Sequence, residues 1–218
     1  MTHSTDHLIS GLVEDLGPVR PVWPMRIAVV AVLGVAALVA VCVLVPQSAP
    51  IGVKRVFQDE VYLVTCLGFF VLAVSGTIGS IASGRPGSER LENRGQILGF
   101  IGLGVAAAAC GMSMINLGLT LSSSPAGLDG MCLRSALKIS VLPALVVGGF
   151  VARGWTHSPF RAGLAAFVSA GAIGGGVIHM SCGNLQPQHL LLGHLAAPVL
   201  AGLVGFIPLG VWLRRSHA

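Results

Sequence analysis

Apolar residues in this chain run in six long blocks, broken by short polar connections. The blocks are Ile27–Val45, Val61–Ser83, Gln96–Leu119, Leu133–Val151, Ala162–His179 and Leu190–Trp212. A helix needs about twenty apolar residues to cross about 30 Å of hydrocarbon. Each block meets or nearly meets that length, so the pattern predicts an all-α polytopic membrane protein, a bundle of six transmembrane helices. No connection is long enough for a soluble domain, and three similar helical hairpins describe the chain coarsely. Pro143, Pro198 and Pro208 fall inside the fourth and sixth blocks, where each removes a backbone donor and is expected to bend its helix. Gly171 with Gly175, and Ala201 with Gly205, form small-xxx-small pairs that predict close helix contacts.

Residues 1–24 follow a different pattern. Asp6 can cap a helix starting near His7, and Leu8, Leu12 and Leu16 then recur at i, i+4 with Ile9 and Val13 beside them. Glu14 and Asp15 face away, and Gly17-Pro18 ends the helix. Two to three turns are too short to hold alone in water, so this helix needs a surface. Interfacial helices carry Lys and Arg on the polar face, and this one carries acids, which favours a protein groove over an anionic bilayer.

Composition supports the membrane reading. The chain of 218 residues is 54% hydrophobic and 10% charged, with mean hydropathy +0.84, against about a quarter charged in soluble domains. The first apolar block follows an acid-bearing polar segment, so it is expected to stay as a span rather than be cleaved as a signal peptide. The net charge of +5 comes from basic residues at block ends, which points to topology and not to direct nucleic-acid binding. With the N-terminus in the cytoplasm, Arg20, Arg26, Arg85, Arg90, Arg94, Arg153, Arg161, Arg214 and Arg215 lie inside, and Lys54, Arg55, Arg134 and Lys138 outside. The positive-inside rule therefore predicts cytoplasmic N- and C-termini. The expected division is an aqueous segment 1–24, a membrane domain 25–213 and a tail 214–218.

This topology puts two thiols at the outer boundary, in Met131-Cys132 and in His179-Met180-Ser181-Cys182. Adjacent antiparallel spans can hold Cys132 and Cys182 at one depth. Thiolate, thioether and imidazole suit soft or borderline ions such as Cu, Zn or Cd, which makes His179, Met131, Met180, His189 and His194 further candidate ligands. His179 and Cys182 stand at i, i+3 and would share a helix face. Two other readings stay open: a structural disulfide, which an oxidising compartment permits, and two inert thiols acting as small apolar residues. Arg134 and Lys138 either snorkel to the interface or lower the pKa of the Cys132 thiol. Cys42, Cys66 and Cys110 lie within apolar blocks and read as packing residues. Trp155 and Trp212 read as interfacial anchors, and His157 as a solvated loop residue.

Three short motifs carry a resemblance. They are Thr5-Asp6-His7-Leu8-Ile9 with Leu12, Asp15-Leu16 and Pro18-Val19-Arg20-Pro21; Cys132-Leu133-Arg134 with Ser140, Pro143 and Arg153; and Ala162-Gly163, the glycine run, Cys182 and Leu213-Arg214-Arg215. In this order, across nearly the whole chain, they resemble the NrsF-like (negative regulator of sigma-F) six-span membrane anti-sigma factors of bacteria. The resemblance implies a protein of the bacterial inner membrane whose cytoplasmic N-terminal segment holds an extracytoplasmic-function sigma factor. Leu8, Leu12, Leu16 and Arg20 are the expected contacts. It also implies that Cys132 and Cys182 sense heavy metals or oxidants, with no obligatory cofactor and membrane lipid as the other partner. The family pattern has a histidine directly before the second cysteine, where Ser181 stands here.

Two other classes compete. A membrane thiol oxidoreductase would use several paired cysteines, commonly in CxxC, and no CxxC occurs. A soft-metal transporter would need ligands through the membrane, for which only Met112, Met114 and the buried cysteines are available, and no span core holds an acid. The expectation is a signalling protein, not an enzyme.

Overall fold

The computed structural model describes residues 3–14, 21–46, 58–116, 126–184 and 186–216, some of them by backbone alone. Among these, seven helices and no strand occur. A short helix α1 (His3–Glu14) precedes α2 (Met25–Leu44), α3 (Glu60–Ser83), α4 (Glu89–Asn116), α5 (Ala126–Val151) and α6 (Pro159–Ser181). The last helix, α7, spans 187–216. It is built from Pro187–His189, a π-helical stretch Leu190–Leu195, and Ala196–Ser216. Helices α2 to α7 are each long and apolar enough to cross a membrane.

Some boundaries differ from the sequence expectation. Helix α1 begins at His3, so Asp6 lies within it and not before it. Helix α4 starts at Glu89 and adds two polar turns ahead of Gln96, with Glu89 and Glu92 in the first of them. Helix α5 starts at Ala126, so Cys132 sits within the helix and not at its start. Leu16, Gly17, Pro18, Arg20, Lys54 and Arg55 lie outside the described residues.

The hairpin description is corrected by the packing. The most extensive pairings are α3 with α4 and α6 with α7, while α4 and α5, consecutive in the chain, share no extensive contact. Helix α6 is the hub and packs on α2, α3, α5 and α7. Small residues make this possible. A methyl on Gly174 would lie 2.2 Å from the Ala136 carbonyl oxygen, and one on Gly171 would lie 2.6 Å from Pro198 Cα. Gly171 also faces Ala201, Gly175 faces the His194 carbonyl, and Gly205 lies under the Phe167 ring. Both small-xxx-small pairs thus lie in the α6–α7 seam.

Helix α2 is the least covered span, with only Ala28 and Val32 fully buried. They join Val147 and Val151 of α5, Ile81 of α3 and Leu213 of α7 in one core cluster. At that end the Trp155 amide donates to the Gly84 carbonyl at 3.0 Å, Arg85 donates to the Trp23 carbonyl, and Arg153 lies 5.4 Å over the Trp23 ring. This is the arginine-rich end of the bundle. The cysteine turns lie at the other.

Candidate functional site

Cys132 and Cys182 are brought together. Their sulfurs are 3.9 Å apart and half-buried, and no disulfide joins them. Cys132 comes from the second turn of α5. Cys182 is the C-cap of α6, in extended conformation, with its amide donating to the Ile178 carbonyl. The two helices run against each other because Gly174 admits the α5 backbone at Ala136.

Helix α7 completes the arrangement. His189 Nε2 lies 3.2 Å from Cys182 Sγ. The ligand atoms of Cys132, Cys182, His189 and His194 all lie within 4.8 Å of one another. Two thiols and two imidazoles are the donor set of a tetrahedral site for zinc or a similar ion. Both histidines are fully buried.

His179 falls just behind this group. Its Nδ1 lies 3.2 Å from His194 Nδ1, and the two rings meet edge to face at 5.3 Å. One nitrogen of that pair donates and the other accepts. The remaining nitrogens, His179 Nε2 and His194 Nε2, are buried without a hydrogen-bond partner. Buried polar atoms are seldom left so. His179 and Cys182 stand at i, i+3 at the end of α6, where the Cys182 amide still bonds the Ile178 carbonyl, and their side chains meet different partners, His194 and His189.

The other candidates divide. Met131 is 65% exposed, Met180 is half-buried, and Arg134 and Lys138 are exposed. Cys110 is buried, Cys66 half-buried and Cys42 exposed, so Cys42 is not the packing residue expected. Leu8 and Leu12 lie in α1, described there by backbone alone, while Ile9 and Val13 of the same helix are 53% and 59% exposed.

Two residues of this site were not singled out from the sequence. Tyr62 stacks on His179 at 4.3 Å, and its hydroxyl donates to the His179 carbonyl at 3.1 Å. Phe69 lies 5.9 Å from the same ring. The available signal was that Tyr62 is the chain's one tyrosine, near the start of an apolar block.

A family model described as negative regulator of sigma F (NrsF) matches residues 12–214. The chain belongs to this family. The family name implies negative regulation of a sigma factor, a regulatory role. No curated protein and no solved structure matches the chain. The NrsF match covers all six spans and both cysteine turns, and it begins within α1.

Proposed function

We propose that this NrsF-family protein is an anti-sigma factor of the bacterial inner membrane. In this reading its cytoplasmic N-terminal segment sequesters an extracytoplasmic-function sigma factor. Heavy metal or oxidative stress acts on Cys132 and Cys182 at the outer face and releases it. The observation that carries the sensing part is the 3.9 Å approach of two thiols from different spans, not joined in a disulfide. A soft or borderline ion such as Cu, Zn or Cd would bind both sulfurs as thiolates. An oxidant would take two electrons and two protons from the pair as a sulfur–sulfur bond forms. Oxidation draws α5 and α6 together at one end, and a bound ion ties them there at the separation they already have.

The far end of α5 offers a route to the N-terminal segment. Val147 and Val151 share a core cluster with Ala28 and Val32 of α2, the helix that follows residues 1–24. Pro143 interrupts the hydrogen bonding of α5 between the two ends. The exposed Ile9 and Val13 of α1 give a partner an apolar edge. A ligand shifts such an equilibrium only through its different affinity for the two states, so the reduced, ion-free pair must favour the sigma-holding state.

The test is a sigma-dependent reporter in cells carrying Cys132→Ser or Cys182→Ser. Each substitution should abolish induction by cadmium or peroxide and leave repression intact. Normal induction in both variants would sink the sensing reading. For the holding reading, tagged full-length protein should retain a sigma factor that a form lacking residues 1–24 does not.

A further inference from the structure

We propose that His189 and His194 are ligands, with Cys132 and Cys182, of one four-coordinate site for a zinc-like divalent ion. The site depends on the π-helical stretch of α7. This deepens the regulatory reading above and rests on it for its biological role, but not for its chemistry.

The histidine spacing is the first argument. His189 and His194 are five residues apart. On an α-helix, side chains five apart point about 140° away from each other. A π-helix instead closes its hydrogen bonds between residues five apart. Here the Ala196 amide donates to the Leu191 carbonyl, five residues earlier. That winding brings the rings of His189 and His194 within 5.0 Å. Pro198, three residues beyond the stretch, has no amide to offer the His194 carbonyl, which removes the α-helical bond at this point.

Distances are the second argument. A tetrahedral zinc ion, with sulfur at about 2.3 Å and nitrogen at about 2.05 Å, sets its two sulfurs about 3.8 Å apart and sulfur from nitrogen about 3.6 Å apart. The observed separations are 3.9 Å between the sulfurs and 3.2 Å from Cys182 Sγ to His189 Nε2. The third argument is the support around the histidines. A metal-bound histidine characteristically uses its second ring nitrogen in a hydrogen bond. His194 Nδ1 already pairs with His179, while His194 Nε2 is buried without a partner. With His194 Nδ1–H as donor, Nε2 carries a free lone pair. His179 is then a positioning residue, held in turn by Tyr62.

Binding transfers no electron. The ion takes four lone pairs while two thiol protons leave to water. Two thiolates balance a divalent charge, so the loaded site adds no net charge to a buried position. The ion would tie together α5, the end of α6 and the start of α7.

Cobalt(II) titration of the full-length, detergent-solubilised protein tests this. The wild type should bind one ion, release two protons, and show the visible spectrum of tetrahedral cobalt with a sulfur-to-cobalt band. His179→Phe should weaken binding by about 10–100-fold, and His189→Ala and His194→Ala by at least as much. His194→Cys should keep tight binding and strengthen the sulfur band, which separates loss of a ligand from loss of fold. Wild-type affinity and spectrum in both alanine variants would overturn the four-ligand site, as would the lack of a tetrahedral spectrum in the wild type. If cobalt binds as described but zinc and cadmium free no sigma factor in cells, the site stands and the regulatory reading falls. If both alanine variants bind cobalt as the wild type does while metals still free a sigma factor in cells, the reading stands and the site falls.

Discussion

Close packing at single glycines sets the positions of the candidate site. A methyl at Gly174 would lie 2.2 Å from a backbone oxygen and 2.3 Å from Ser140 Oγ, and the oxygen cannot rotate away. Gly174→Ala should therefore lower stability by about 1–3 kcal/mol, seen as a lower unfolding temperature in detergent. Gly111, also helical, has nothing within 4 Å of the same added methyl. Gly111→Ala should raise stability by about 0.5–1 kcal/mol, the cost of glycine's extra freedom in a helix. Equal effects of both substitutions would mean that the α5–α6 contact is looser than described. None of this contrast is legible in the sequence, where both glycines stand in apolar runs.

At the scale of elements, α7 is the informative case. An α-helical reading of Leu190–Trp212 places His189 and His194 on different faces, and the π-helical stretch reverses that. The stretch holds one residue more than an α-helix needs. Deleting Leu192, which is 54% exposed, should convert it to α-helix without moving Ala196–Ser216. The histidines would then be four apart, again on one face. The variant should fold and still bind cobalt. Deleting Leu203, in regular helix, should rotate one part of α7 against α6 and lose both fold and binding. Helix α5 teaches a similar lesson. Its apolar block begins at Leu133, but the helix starts at Ala126, so the edge of the apolar run does not mark the edge of the helix.

Across the whole molecule, the two ends have opposite character. One gathers Arg85, Arg153 and Trp23; the other gathers two thiols and three buried histidines. The positive-inside rule assigns the arginine end to the cytoplasm. A membrane-impermeant thiol reagent applied to intact, outer-membrane-permeabilised cells should then label Cys182 before lysis, and a protease-sensitive tag at the N-terminus should stay protected until lysis. The opposite pattern would invert the topology and remove outward sensing.

The sequence by itself determined the number of membrane spans and the family, and it marked the small-residue contact positions and the two boundary thiols Cys132 and Cys182. These follow from local length, composition and short motifs, and each span satisfies its own backbone hydrogen bonds without help from its neighbours. Only the tertiary structure decided which spans are neighbours, that α6 is the hub, and that His189 and His194 join the thiols while His179 stands behind them with Tyr62. The reason is physical. Helix packing in lipid turns on sub-ångström fits between small residues, and the histidines meet only because packing against α6 and a missing proline amide stabilise a π turn that the one-dimensional pattern does not encode.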